Sequence, residues 1–215
     1  MWRVQEARKW KWQKLEESLN IRYKRYWTRC HKVNLKHIEL FQFVYVGGQD
    51  NDGRDIIIFV GNRFPAKQLM AAKKLKQSLL YVIRELHHIV ERDYVVIYLH
   101  SHVVEEENLP PISWITQCFQ ICGQRFHKNL HRFYVVHPSF RLKSWFYVLS
   151  TKRFYQKIVY LDSVTKLEHH NVELDHIALP GKTWEYEREL LGEDLLADKM
   201  QLATDDLVLD ALPYR

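Results

Sequence analysis

Histidine and cysteine have the widest chemical reach of the residue types in this chain, which holds 12 His and 3 Cys among 215 residues. His100 and His102 stand two apart, so on a strand they would share a face. His137 is placed to end a neighbouring strand. Three imidazoles in such an array could hold zinc with an open position. No cysteine or carboxylate stands at a matching spacing, so three histidines without a metal are expected, and no cofactor is implied. His127 and His131 are four apart, but a helix end is due near Leu130, and a solvated pair is expected there. Cys118 and Cys122 lie one helical turn apart. That is not the spacing of a Cys-x-x-Cys redox pair, so small core residues are expected.

Nucleophilic catalysis finds no purchase. The chain has no Gly-x-Ser-x-Gly string, no phosphate loop and no dinucleotide fingerprint. Gly47, Gly48 and Gly61 read as turn residues, and the carboxylates show no pairing that suits glycoside chemistry. A binding module, not an enzyme, is expected. The richest apolar cluster is Phe140, Leu142, Trp145, Phe146, Val148 and Leu149, more than one buried stripe needs. Two readings stand for the segment 139–155: a helix packed on two sides, or a gate that faces lipid when open. At the other end, Trp10, Trp12, Tyr23, Tyr26 and Trp27 lie among Lys and Arg. Aromatics between cations can stack bases, or lie at the headgroup level of an anionic membrane. The same text describes an amphipathic helix packed on the domain. That reading is preferred; nucleic acid is not expected, and peripheral membrane contact stays open.

The elements that must position these groups follow from periodicity. Leu15, Leu19, Tyr23 and Tyr26 recur at helical steps within residues 2–36. Phe41 to Val46 is a β-type run, then a Gly- and Asp-rich turn, then the strand Asp55 to Val60. Pro65 opens a helix running from Ala66 to Glu91. Strands are expected at Tyr94 to Leu99, which is apolar throughout as a strand buried on both faces requires, at Arg132 to Val136, a further buried strand, and at Ile158 to Leu161, a short one. Helices are expected at 112–130, 139–150, 164–168 and 184–191, with an acidic loop at 105–108. Ser139 is placed to cap the third long helix. Alternation of this kind gives an α/β fold with a mostly parallel β-sheet flanked by helices. Residues 1–37 read as a basic N-terminal helical extension, 38–187 as the domain and 188–215 as an acidic tail. The odd cysteine number without framework spacing implies free thiols in a reducing compartment, and a cytoplasmic location is expected.

Several strings resemble a known family. Residues 50–61, Asp-Asn-Asp-Gly-Arg-Asp-Ile-Ile-Ile-Phe-Val-Gly, resemble the hairpin of CRAL-TRIO domains. Ser113-Trp114, Lys128-Asn129-Leu130, residues 133–140 (Phe-Tyr-Val-Val-His-Pro-Ser-Phe), residues 157–164 and Leu179-Pro180 resemble the divergent branch of that family, which is related to BCH domains. The resemblance covers about Tyr23 to Glu187. It implies a CRAL-TRIO-like fold, with helices that floor and gate a cavity over the sheet. It also implies an apolar small molecule or phospholipid as ligand, with Val135 at the sheet and Phe140, Trp145 and Phe146 at the gate lining the cavity. The BCH branch implies the alternative, an interaction module for a small GTPase or another protein. The chain departs from the family after Leu-Pro, where it reads Gly-Lys-Thr-Trp without a Gly pair, and at Ser150 to Phe154, which has no Pro.

Overall fold

The computed structural model describes residues 2–191, without the side chains of residues 2–13, 15, 16, 124 and 191. The side chains of Trp10, Trp12 and Leu15, and the tail from residue 192, therefore lie outside the described residues. The chain opens on one helix, α1 (Trp2–Cys30), followed by a short α2 (Lys36–Glu39). The hairpin is β1 (Val44–Gln49) and β2 (Asp55–Val60). Next come α3 (Ala66–Ala71), α4 (Leu75–Leu86), β3 (Tyr94–Leu99), α5 (Glu105–Asn108), α6 (Ile112–Lys128) and β4 (Leu130–Val136). The chain continues through α7 (Phe140–Leu149), α8 (Lys152–Tyr155) and β5 (Ile158–Leu161). Two 3-10 turns, Val164–His170 and Leu174–His176, lead to α9 (Gly181–Leu191). Among the described residues no helix is long and apolar enough to cross a membrane.

The five strands lie in sequence order. β1 is antiparallel to β2, and each later strand is parallel to the one before. Sequential order with right-handed crossovers puts every crossover helix on one face. The packing agrees: Ile57 and Val96 share a core with Leu80 and Tyr81 of α4, Trp114 and Phe119 of α6, Phe146 of α7 and Phe154 of α8. Ile56, Ile58, Val95 and Ile97 point the other way, onto Val164, Leu167, Val172 and Ile177, with Trp184 of α9 beside them. Alternate residues of the central strands thus enter two different cores, which is why β3 is apolar at every position and β2 at every position after Asp55. α1 lies against α4 and α6 through Tyr23, which packs with Leu79, Ile83, Ile121 and Cys122.

Three expectations need correction. The Ala66-to-Glu91 helix is broken in two. Lys73 takes φ 55°, and the Lys74 amide donates to the Leu69 carbonyl at 2.8 Å, the bond that ends a helix in a left-handed cap. Gly47 and Gly48 are strand residues, not turn residues. A Cβ on Gly48 would sit 2.1 Å from the His176 carbonyl oxygen, and Gly48 has φ 141°, so a close backbone approach demands the glycine. The turn proper is Asp50 to Arg54: the Asp50 carboxylate accepts from the Asp52 and Arg54 amides and from the Arg54 guanidinium. The acidic loop at 105–108 is the short helix α5.

Candidate apolar ligand site

The helix face of the sheet carries rings that do not interlock. Phe59 of β2, Val96 of β3 and Phe133 of β4 all point to that side. α6 passes over them with Ile115, Cys118, Phe119, Cys122 and Phe126, a stripe at steps of three and four. Leu79 and Val82 of α4 form a side wall, and Phe154 of α8 closes another. Between these groups is an inner cavity of about 230 Å³. A second, outer cavity of about 190 Å³ continues toward α7, between Phe43, Phe64, Tyr98, Leu142, Trp145 and Phe146. Phe59, Val82, Trp114 and Ile115 border both cavities and form the partition between them. Together the two fall near the lower end of the ~300–1,000 Å³ range of small-molecule sites.

α7 is the outer wall. Ser139 caps it by accepting from the Leu142 amide, as expected. Leu142, Trp145 and Phe146, at i, i+3 and i+4, face inward. Phe140, Tyr147 and Val148 face outward, at 86%, 73% and 73% exposure. Trp145 also borders a surface cleft of about 570 Å³ with Met70, Glu105, Leu109 and Arg141, so its indole separates cavity from cleft. A latch holds it there: the Arg141 guanidinium lies 5.1 Å over the Trp145 ring and pairs with Glu105 of α5.

The expected site residues therefore separate. Trp145 and Phe146 come together at the outer cavity. Phe140 is corrected: it lines neither cavity and projects from the opposite side of α7. Val135 is also corrected. Its parity gives it the helix face, two residues on from Phe133, but it is 0% exposed and borders neither cavity. Sequence reasoning missed the inner cavity, whose signal was the Ile115-to-Phe126 stripe with Gly123 as a gap within it.

The histidines take separate places. His100 Nδ1 lies 3.2 Å from the Tyr98 hydroxyl and its Nε2 3.1 Å from Ser139 Oγ, joining the cavity wall to the α7 cap. Burial pushes its pKa down to about 4, against the opposing effect of Glu105. His137 Nε2 donates to Glu187 Oε1 at 2.9 Å, and its Nδ1 lies 2.7 Å from Ser101 Oγ. Ser101, His137 and Glu187 follow one another as a nucleophilic triad would, with Ser101 2% exposed, and their hydrogen bonds tie the ends of β3 and β4 to α9. His102 packs edge-on to Tyr186. His127 corrects the expected solvated pair with His131. It borders the inner cavity and stacks on Phe154 with 4.4 Å between centroids, while His131 is exposed. Burial, and secondarily Lys157, push the His127 pKa down to about 4. The Cys118 and Cys122 thiols border the same cavity; burial pushes Cys118 up to about 12, so it is a protonated wall group and not a nucleophile.

Comparison with known proteins agrees with this architecture. The family model described as a divergent CRAL/TRIO domain matches residues 53–189. The chain is 30% identical over 172 residues to a protein GDAP2 homolog of Nematostella vectensis, covering 79% of this chain and 33% of that protein. It is 33% identical over 149 residues to Rho GTPase-activating protein 1 of Homo sapiens, covering 68% of this chain and 33% of that protein. The chain thus spans about a third of the length of these relatives. Among solved structures, that of Sfh5 aligns with a TM-score of 0.49 at 12% identity, over 73% of this chain and 67% of that one. With the family match spanning more than half of its length, the chain belongs to the divergent CRAL/TRIO domain family.

Proposed function

We propose that this protein is a non-enzymatic binding domain that takes an apolar small molecule of lipid character into the paired cavities under α6, with α7 as the gate. The observation that carries this reading is the inner cavity of about 230 Å³, lined by aromatic and aliphatic side chains between α6 and the sheet. Burying an aliphatic ligand there releases about 0.8 kcal/mol per methylene. The basic residues of α1 supply a contact to the anionic membrane surface from which such a molecule would load.

Gly123 gives a clean test. It borders the inner cavity, and a Cβ there would meet only His127, at 3.7 Å. Gly123→Leu fills the cavity while improving the helix propensity of α6 by up to about 1 kcal/mol. The wild type should bind pyrene with a rise in fluorescence, and the variant should lose at least tenfold in affinity at unchanged circular dichroism. Unchanged pyrene affinity in the folded variant would remove the cavity from the account.

A second reading, a module that docks a small GTPase, is favoured by relatives named Rho GTPase-activating proteins and by the exposed apolar side of α7. It expects Gly123→Leu to leave Rho GTPase pull-down intact and Val148→Asp to abolish it.

A further inference from the structure

We infer that the ligand is an uncharged lipid with a single hydrogen-bonding group, a hydroxyl or carbonyl, and that the imidazole of His127 receives this group inside the inner cavity. This inference rests on the cavity reading above and specifies its ligand class; it takes the phospholipid out of the two classes that the family resemblance allows.

Charge comes first. Among the described residues, neither cavity is bordered by a Lys, Arg, Asp or Glu side chain. Lys157 lies close, but its ammonium donates to the backbone carbonyls of His127 and Leu130. A phosphate brought inside would lose its water without a counter-ion, a cost of several kcal/mol. A neutral hydroxyl or carbonyl needs only one partner.

That partner is identified by elimination among groups that can both donate and accept; the Trp114 and Trp145 indoles that also border the cavities can only donate. The Tyr94 hydroxyl donates to the Phe126 carbonyl. The Tyr98 hydroxyl is engaged with His100. The Asn108 amide accepts from the Val104 amide and donates to the Asn62 and Phe64 carbonyls, so it is spent. The two thiols are weak donors. The His127 ring has aromatic partners in Phe119 and Phe154, but its nitrogens make no hydrogen bond among the described residues. Stacking on Phe154 at 13° fixes the ring plane. With its pKa near 4 the imidazole is neutral at physiological pH and offers one donor and one acceptor.

Gly123 is the independent observation. It sits one turn before His127 in the middle of α6, where glycine costs about 1 kcal/mol relative to alanine. Its backbone does not require glycine, since its φ is not positive. The place its Cβ would occupy is 3.7 Å from His127 Cε1 and 4.0 Å from Nδ1. The missing side chain keeps the Nδ1 edge of the ring open.

The test is displacement of pyrene by three ten-carbon probes: decanol, decane and decyl phosphate. The readout is the affinity ratio of decanol to decane, which cancels the shared apolar burial. His127→Phe keeps the stacking and the apolar wall, and should lower this ratio about tenfold, the cost of an unpaired buried hydroxyl. His127→Gln restores a donor and an acceptor and should restore most of the ratio. Decyl phosphate should compete at least a hundredfold more weakly than decanol. An unmoved ratio in a folded His127→Phe, or decyl phosphate competing as well as decanol, overturns the inference. If wild type binds pyrene and the ratio does not move, this inference falls and the cavity reading stands. If wild type binds no pyrene, the cavity reading falls as well.

Discussion

Glu187 is the most demanding single side chain in the molecule. Its carboxylate is fully buried in α9 and accepts from His137, from Ser163 Oγ and from the Val164 amide. His137 holds φ 54° directly before Pro138, a conformation that costs of order 1 kcal/mol or more and persists because these bonds over-determine it. Glu187→Ala leaves the buried His137 Nε2 and Val164 amide without their acceptor and should lower stability by about 3 kcal/mol in urea unfolding; a loss below about 1 kcal/mol would show that the network does not hold the sheet to α9. The buried histidines set the acid response. His100 and His127 both titrate near pH 4 when folded, against 6.5 ordinarily. Between those values the unfolded chain binds protons that the native state refuses, so stability falls as pH drops through that window and is level above it. Urea midpoints at pH 7 and pH 5 should show the drop, and His127→Phe should shrink it. Only part of this residue-scale picture was legible. Leu142, Trp145 and Phe146 stand at i, i+3 and i+4, and that spacing alone could have excluded Phe140. Val135 was placed on the right face by strand parity, which fixes the face but not how far along the strand a cavity extends. The His137–Glu187 pair spans 50 residues, and no local pattern announces it.

At the scale of elements, α7 is the proposed gate. It is apolar on both sides, and Arg141 holds it to α5 through an ion pair that solvent can reach. Exposed pairs contribute about 0.2–1 kcal/mol, so Glu105→Lys should speed pyrene release by up to about fivefold in stopped-flow fluorescence. High salt should move the wild type in the same direction. A slower release in Glu105→Lys would mean that α5 does not latch the gate. The strands were the most legible elements: β3 and β5 begin and end where their apolar runs do, and β2 begins one residue earlier, at Asp55. The break between α3 and α4 was not legible, because Lys73 gives no left-handed signal of the kind Gly or Asn would give. Gly47 and Gly48 misread as a turn for a related reason. What demands glycine there is the carbonyl of His176, far along the chain.

The whole molecule is one sheet with two unlike faces. One face packs tightly against the 3-10 turns and α9, and the other carries the crossover helices over rings that leave space. The order of elements made this layering legible, since helix–strand alternation leaves few topologies. The cavities were hardly legible, because they consist of what Phe59, Trp114, Phe119 and Phe133 fail to fill, and only the gap at Gly123 in the α6 stripe hinted at a void. On the cavity reading, this space is occupied in the working protein. Native mass spectrometry of protein purified from a eukaryotic host, with the bound fraction extracted and identified, tests it most directly. One uncharged apolar molecule per chain is expected, absent from Gly123→Leu. Protein that arrives empty and takes nothing from lipid vesicles would contradict it.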